Sequence, residues 1–154
     1  MPTLVDGEVV LTESAAIVNY AAMLSPAKEL LPTAIAERAR YDEICYFVMT
    51  DLEQPLWSIG KHRFALPEEV RQPGMQKTAQ FEFEKSLRAL RHHFDGSGYV
   101  AGQHFTMADI LLAHTINWAE RFEMPIDAGF IKCRDRMYSR PECQHSLVVI
   151  EAPK

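Results

Sequence analysis

Glu13 and Ser14 are the one chemically pointed pair in the chain, standing where an amphipathic helix should begin. The unpaired amides and dipole of a helix start attract a carboxylate, Ser14 adds a hydroxyl donor, and Glu13 offers a charge for an ammonium group. Together they suit an amino-acid zwitterion. Thr12, Glu13 and Ser14 are equally the residue types that cap a helix and favour its dipole without any ligand. From the residues alone capping is the preferred reading, since Thr-Glu-Ser before a helix is common.

The other reactive side chains are less organised. Cys45, Cys133 and Cys143 include no Cys-x-x-Cys, so neither a redox pair nor a disulfide framework is indicated, and a reducing cytoplasm is the expected compartment. Cys45 is expected in the core. His92 and His93 are adjacent, so on a helix they point about 100° apart. With His104 they give no ligand spacing, and no metal is expected. Lys61, His62 and Arg63 form a basic tip, read as a solvated helix end matched to the C-terminal dipole.

The elements that position Glu13 and Ser14 can be read around them. Asp6-Gly7 between aliphatic runs predicts a two-residue hairpin turn with Val5 opposite Glu8. Pro2, Leu4, Val9 and Leu11 then share one face, and Thr3, Val5, Glu8 and Val10 the other. A helix with Ile17, Tyr20, Ala21 and Leu24 inward should cover the first face. Ser25-Pro26 and Pro32 close this unit. From Thr33 the pattern is helical, placing a boundary there and giving units of residues 1–32 and 33–154.

A long helix is predicted from about Ala34 to Arg63, with Ile35, Ala39, Ile44, Val48, Leu52 and Leu56 inward and a kink at Pro55. A second spans about Met75 to Phe94 and stops at Asp95-Gly96-Ser97-Gly98. Thr106 and Asp109 then stand as a capping box, with Phe105 and Ile110 as its hydrophobic staple, opening a buried helix from Met107 to about Phe122. Shorter helices are expected over Phe130–Tyr138 and Pro141–Ile150. The fold class is therefore mainly α, a helical bundle preceded by a β-hairpin and helix.

The run Pro2-Thr3-Leu4-Val5-Asp6-Gly7 through Leu11-Thr12-Glu13-Ser14-Ala15-Ala16-Ile17 resembles the second half of the thioredoxin-like domain of cytosolic, bacterial-type glutathione S-transferases. The capping box and staple, and Arg136-Met137-Tyr138-Ser139-Arg140-Pro141, resemble that family's all-α C-terminal domain, so the likeness covers nearly the whole chain. It implies a cis Met1–Pro2 bond, backbone contact from Met1 to the cysteinyl part of glutathione, and a γ-glutamyl site at Glu13 and Ser14. It also implies a second-substrate pocket for a small electrophile from Tyr41, Tyr46, Trp57 and Phe64, and a homodimer.

The family activates the glutathione thiol with a Tyr, Ser or Cys in a first strand–helix unit, and a β-α-β element takes about 30 residues or more. The resemblance supplies no counterpart of that unit here, so it assigns no catalytic residue, and a truncated form is expected. On that reading glutathione binding should be weak and the hairpin should present an exposed edge. Two functions remain: a glutathione transferase whose full form conjugates glutathione or reduces disulfides or peroxides with it, or a noncatalytic dimerisation or partner-binding module.

Composition fits either. The 154 residues are 47% hydrophobic, and 21 acidic against 16 basic side chains give a net charge of −5, which disfavours nonspecific nucleic-acid binding. No apolar run approaches the roughly 20 residues of a membrane span.

Overall fold

The computed structural model describes residues 2–25 and 29–144. It opens with an antiparallel hairpin, β1 (Thr3–Asp6) and β2 (Val9–Thr12), in which Thr3 pairs with Thr12, Leu4 with Leu11, Val5 with Val10 and Asp6 with Val9. The turn is thus Gly7-Glu8, one residue later than the Asp6-Gly7 expected from sequence. Gly7 stands first in the loop at φ 58°, the placement a type II′ turn asks of glycine. Asp6 is thereby kept in the ladder, where it accepts a hydrogen bond from the Tyr20 hydroxyl at 2.9 Å. Each partner shifts by two residues, so the faces keep their membership. Leu4 and Leu11 are half-buried, whereas Val5 and Val10 are 67% and 63% exposed.

Helix α1 (Ser14–Met23) follows directly, and its inward stripe differs from the expected one. Ala15, Val18 and Ala22 pack on the helical core, while Ala21 and Leu24 are exposed. Small residues at 15 and 22 let this face approach closely, and Asn19 accepts the hydroxyl hydrogen of Tyr41 on the same side. Tyr20 belongs to the opposite side, reaching the hairpin.

The long helix is continuous from Ile35 to Ala65 but not uniform. It comprises α2 (Ile35–Phe47), a π stretch (Val48–Glu53), α3 (Gln54–Gly60) and a second π stretch (Lys61–Ala65). Pro55 has no N–H to offer the Asp51 carbonyl and its ring crowds that oxygen, and the wider π turns lie immediately before it. Ile44, Val48, Leu52 and Leu56 are buried as expected. Ile35 is 90% exposed and Ala39 is exposed, because burial on this helix begins only at Tyr41 and its first turns run beyond the core.

Helices α4 (Met75–Arg91), α5 (Met107–Arg121) and α6 (Ala128–Tyr138) complete the body. On α4, Ala79, Phe83, Leu87 and Leu90 form one buried stripe. Residues 141–144 are helical, and the rest of the helix expected to Ile150 lies outside the described residues.

Helix α5 is the central element, buried from Met107 through Ala119 except on the line of Ile110 and His114. Thr106 and Asp109 form its capping box. Asp109 Oδ2 accepts the Thr106 N–H at 2.8 Å, and Oδ1 accepts the Val100 N–H at the same distance, tying the preceding loop to the helix start. Phe105 is half-buried and Ile110 lies on the exposed side.

The loop of residues 95–98 meets α6 backbone to backbone. A Cβ on Gly96 would collide with the Gly129 carbonyl, and one on Gly129 with the Asp95 carbonyl. Arg136 closes this contact by donating to the Gly96 and Gly98 carbonyls.

Candidate functional site

Glu13 is the residue between β2 and α1, and its backbone is strained. Its φ is 71° and its ψ 119°, outside the regions a glutamate ordinarily occupies. Such conformations cost of order 1–3 kcal/mol and persist only where surrounding structure holds them. Here β2 on one side and the first α1 hydrogen bond, Ile17 N–H to the Glu13 carbonyl at 3.0 Å, fix the turn. The helix start has no side-chain capping hydrogen bond, and the Glu13 and Ser14 side chains are exposed. Simple capping therefore does not account for this pair. Pro2 is exposed beside β1; Met1, with the Met1–Pro2 bond, lies outside the described residues.

One turn of the long helix faces this point. Glu53, at the end of the first π stretch, is half-buried and close enough to feel the charge of Glu13. Burial chiefly raises its carboxyl pKa and the Glu13 charge adds to that, while the neighbouring His114 and Trp57 oppose it.

Beyond Glu53 the surface turns aromatic. Trp57 and Phe64 on the long helix meet Trp118 on α5 and Phe122 just past its end, edge to face. The ring centroids lie 5.4 Å apart for Trp57–Trp118, 5.8 Å for Trp118–Phe122 and 6.4 Å for Phe64–Phe122. Trp57 is 47% and Phe64 63% exposed, so an apolar face stays open to solvent.

The four aromatic residues assigned to a pocket from sequence are not brought together. Tyr41 is fully buried, its hydroxyl engaged by Asn19 and its pKa pushed well up by burial, so it lines no surface. Tyr46 is exposed, more than two helical turns before Trp57. Glu53, Trp118 and Phe122 were missed. The signal for the last two was the spacing His114, Trp118, Phe122, one helix face read only as core.

Cys45, Cys133 and His62 have structural surroundings. Cys45 and Cys133 are buried, and burial raises both thiol pKa values, which disfavours a nucleophilic thiolate. His62 Nδ1 accepts the Gln72 N–H at 3.0 Å. Among the described residues no group of three or more His, Cys, Asp or Glu side chains is arranged to hold a metal.

Residues 52–141 match the family model for the glutathione S-transferase C-terminal domain. The chain belongs to the glutathione S-transferase family. Among its relatives is glutathione S-transferase GstA of Escherichia coli O157:H7, 29% identical over 150 residues, which cover 94% of this chain and 70% of that protein. The theta class glutathione S-transferase of Xanthomonas axonopodis pv. citri is 32% identical at a TM-score of 0.70, with 94% and 78% of the two chains covered. That transferase has also been solved with glutathione bound. The bacterial transferase BphK shares the fold at a TM-score of 0.81 and 22% identity, over 97% of this chain and 73% of its own. Among the described residues no helix is long and apolar enough to cross a membrane.

Proposed function

We propose that this polypeptide is the glutathione-holding and electrophile-presenting part of a cytoplasmic, homodimeric glutathione transferase. The γ-glutamyl carboxylate sits on the free amides at the start of α1, with the Ser14 hydroxyl as a further donor, and Glu13 pairs with the ammonium group. Glu53 deepens the negative potential at that point. Pro2 and Met1 flank the cysteinyl part. The electrophile packs on the open aromatic face at Trp57 and Phe64. These residues bind and orient, and none is assigned to thiol activation. Residues 1–32 and 33–154 are the two units that meet at the site.

The observation that carries this reading is the strained, uncapped Glu13, since strain at an exposed polar residue is retained where geometry serves a ligand. Calorimetric titration with glutathione tests it. Saturable binding is expected, weakened at least tenfold in Glu13→Ala, since a charge-assisted hydrogen bond contributes roughly 1.5–3 kcal/mol.

A second reading, a noncatalytic transferase-like module for dimerisation or partner binding, is favoured by the exposed Val5 and Val10 face of the hairpin. No glutathione heat, together with a dimer in light scattering, would select it.

A further inference from the structure

The aromatic face has two electrically different ends. Trp57, Gly60 and Phe64 recur at i, i+3 and i+7 on the long helix, and His114 and Trp118 stand four apart on α5, with Phe122 four further on at its C-terminal cap. Gly60 lies beneath the rings, where a Cβ would make ordinary van der Waals contact, 3.4 Å from Phe64 Cζ and 3.6 Å from Phe122 Cζ. At the near end stand Glu53 and, beyond it, Glu13. At the far end the Arg63 guanidinium carbon sits 5.2 Å from the Phe122 ring centroid. Ten residues separate Glu53 from Arg63, about 15 Å along the helix.

Among the described residues Arg63 has nothing anionic to hold, and its guanidinium is seated against an aromatic ring. Arg71 donates to the Leu66 and Phe64 carbonyls and closes the helix end, and Arg134 pairs with Glu120 and Asp135. Arg63 is exposed and has no carboxylate partner among the described residues; the Phe122 ring orients it. An open aromatic surface ending on an oriented, unpaired guanidinium matches one kind of small molecule: a planar ring with a negative group at its rim.

We propose that the second substrate is an aromatic carboxylate, its ring lying on Trp57 and Phe64 and its carboxylate held by Arg63. The acidic end then repels that carboxylate, so the ligand lies with its charge away from Glu13 and its uncharged, reacting end toward the glutathione site. Arg63 is a specificity residue in this arrangement and takes no part in bond making. The inference rests on reading the Trp57–Phe64 face as the electrophile site.

The test titrates the full chain with 4-nitrobenzoate and with the neutral 4-nitrobenzamide, following emission from its two tryptophans, Trp57 and Trp118. The benzoate should bind roughly five- to tenfold more tightly at low salt, with the preference shrinking as salt is added. Arg63→Gln should bring the benzoate down to the amide's affinity and leave the amide unchanged; Arg63→Lys should keep part of the preference. Trp57→Ala, followed by calorimetry, should weaken both. Equal affinities, absence of binding by both compounds, or a preference that survives Arg63→Gln overturns the proposal. A parallel glutathione titration separates the two readings: an Arg63-dependent preference without glutathione binding keeps the anion site and removes the transferase role, and glutathione binding without the preference does the reverse.

Discussion

Replacing Asp109 by alanine is expected to destabilise the protein by about 3–5 kcal/mol, a large share of the roughly 5–15 kcal/mol typical of a folded domain. The carboxylate is buried and accepts the backbone N–H groups of Thr106 and Val100. Its removal orphans two amides at about 1–3 kcal/mol each and takes away one half of the α5 capping box, worth about 1 kcal/mol. Because α5 is the central helix, the loss falls on global stability. Urea unfolding followed by tryptophan emission measures it, and a cost below about 1 kcal/mol would show that the cap is dispensable.

Asp109→Asn should be milder, since the amide oxygen keeps one of the two acceptors. The pair also reports a pH effect. Burial, the largest influence, raises the Asp109 pKa despite the donors around it. The folded state therefore holds this proton more tightly than the unfolded chain. Its contribution to stability is fully present below the ordinary Asp pKa and is lost as pH rises through the raised value. The stability difference between the native protein and Asp109→Asn should accordingly narrow with rising pH over that window.

Gly129→Ala should destabilise by about 1–3 kcal/mol, the cost of overpacking a tight contact. The sign is the informative part. Inside a helix, glycine to alanine ordinarily gains about 1 kcal/mol. Gly129 lies within α6, but its missing side chain is what lets the Asp95 carbonyl approach, and Gly96 faces it at φ 94°. The Arg136 hydrogen bonds to Gly96 and Gly98 would be strained by any retreat of that loop. A thermal midpoint that rises in Gly129→Ala would mean that the loop yields freely.

Much of the architecture is legible in the residues because local signals agree with the packed result. The Thr106–Asp109 spacing marks the start of α5, and the apolar period locates the long helix to within two residues at each end, whereas α4 stops at Arg91, three residues short of the end expected at Phe94. What sequence missed depends on neighbours. Gly7 can stand first or second in a two-residue turn, and the placement the fold uses shows only in the strand register, which the Tyr20–Asp6 hydrogen bond supports. On α1 both sides carry apolar residues, so periodicity alone could not say that Ala15 and Ala22 meet the core. The π turns before Pro55 are a tertiary answer to a local problem.

The site divides in the same way. Glu13 and Ser14 can be picked out from their place before a helix, but the strain at Glu13 is invisible in the residue type. Trp57 and Phe64 were drawn from position on the long helix, yet their partners Trp118 and Phe122 lie more than fifty residues away and meet them only in the folded bundle. Tyr41 was misassigned because an aromatic residue at helical spacing serves a core as readily as a pocket.

The central claim, that Glu13 is held in an unfavourable conformation to grip the γ-glutamyl end of glutathione, is tested most directly by Glu13→Gly measured twice. Glycine accepts φ 71° without penalty, so urea unfolding should show a gain of about 1 kcal/mol. Calorimetry on the same variant should show glutathione affinity reduced at least tenfold. A variant that is more stable and binds worse is the predicted result; one that binds glutathione as well as the native chain contradicts the account.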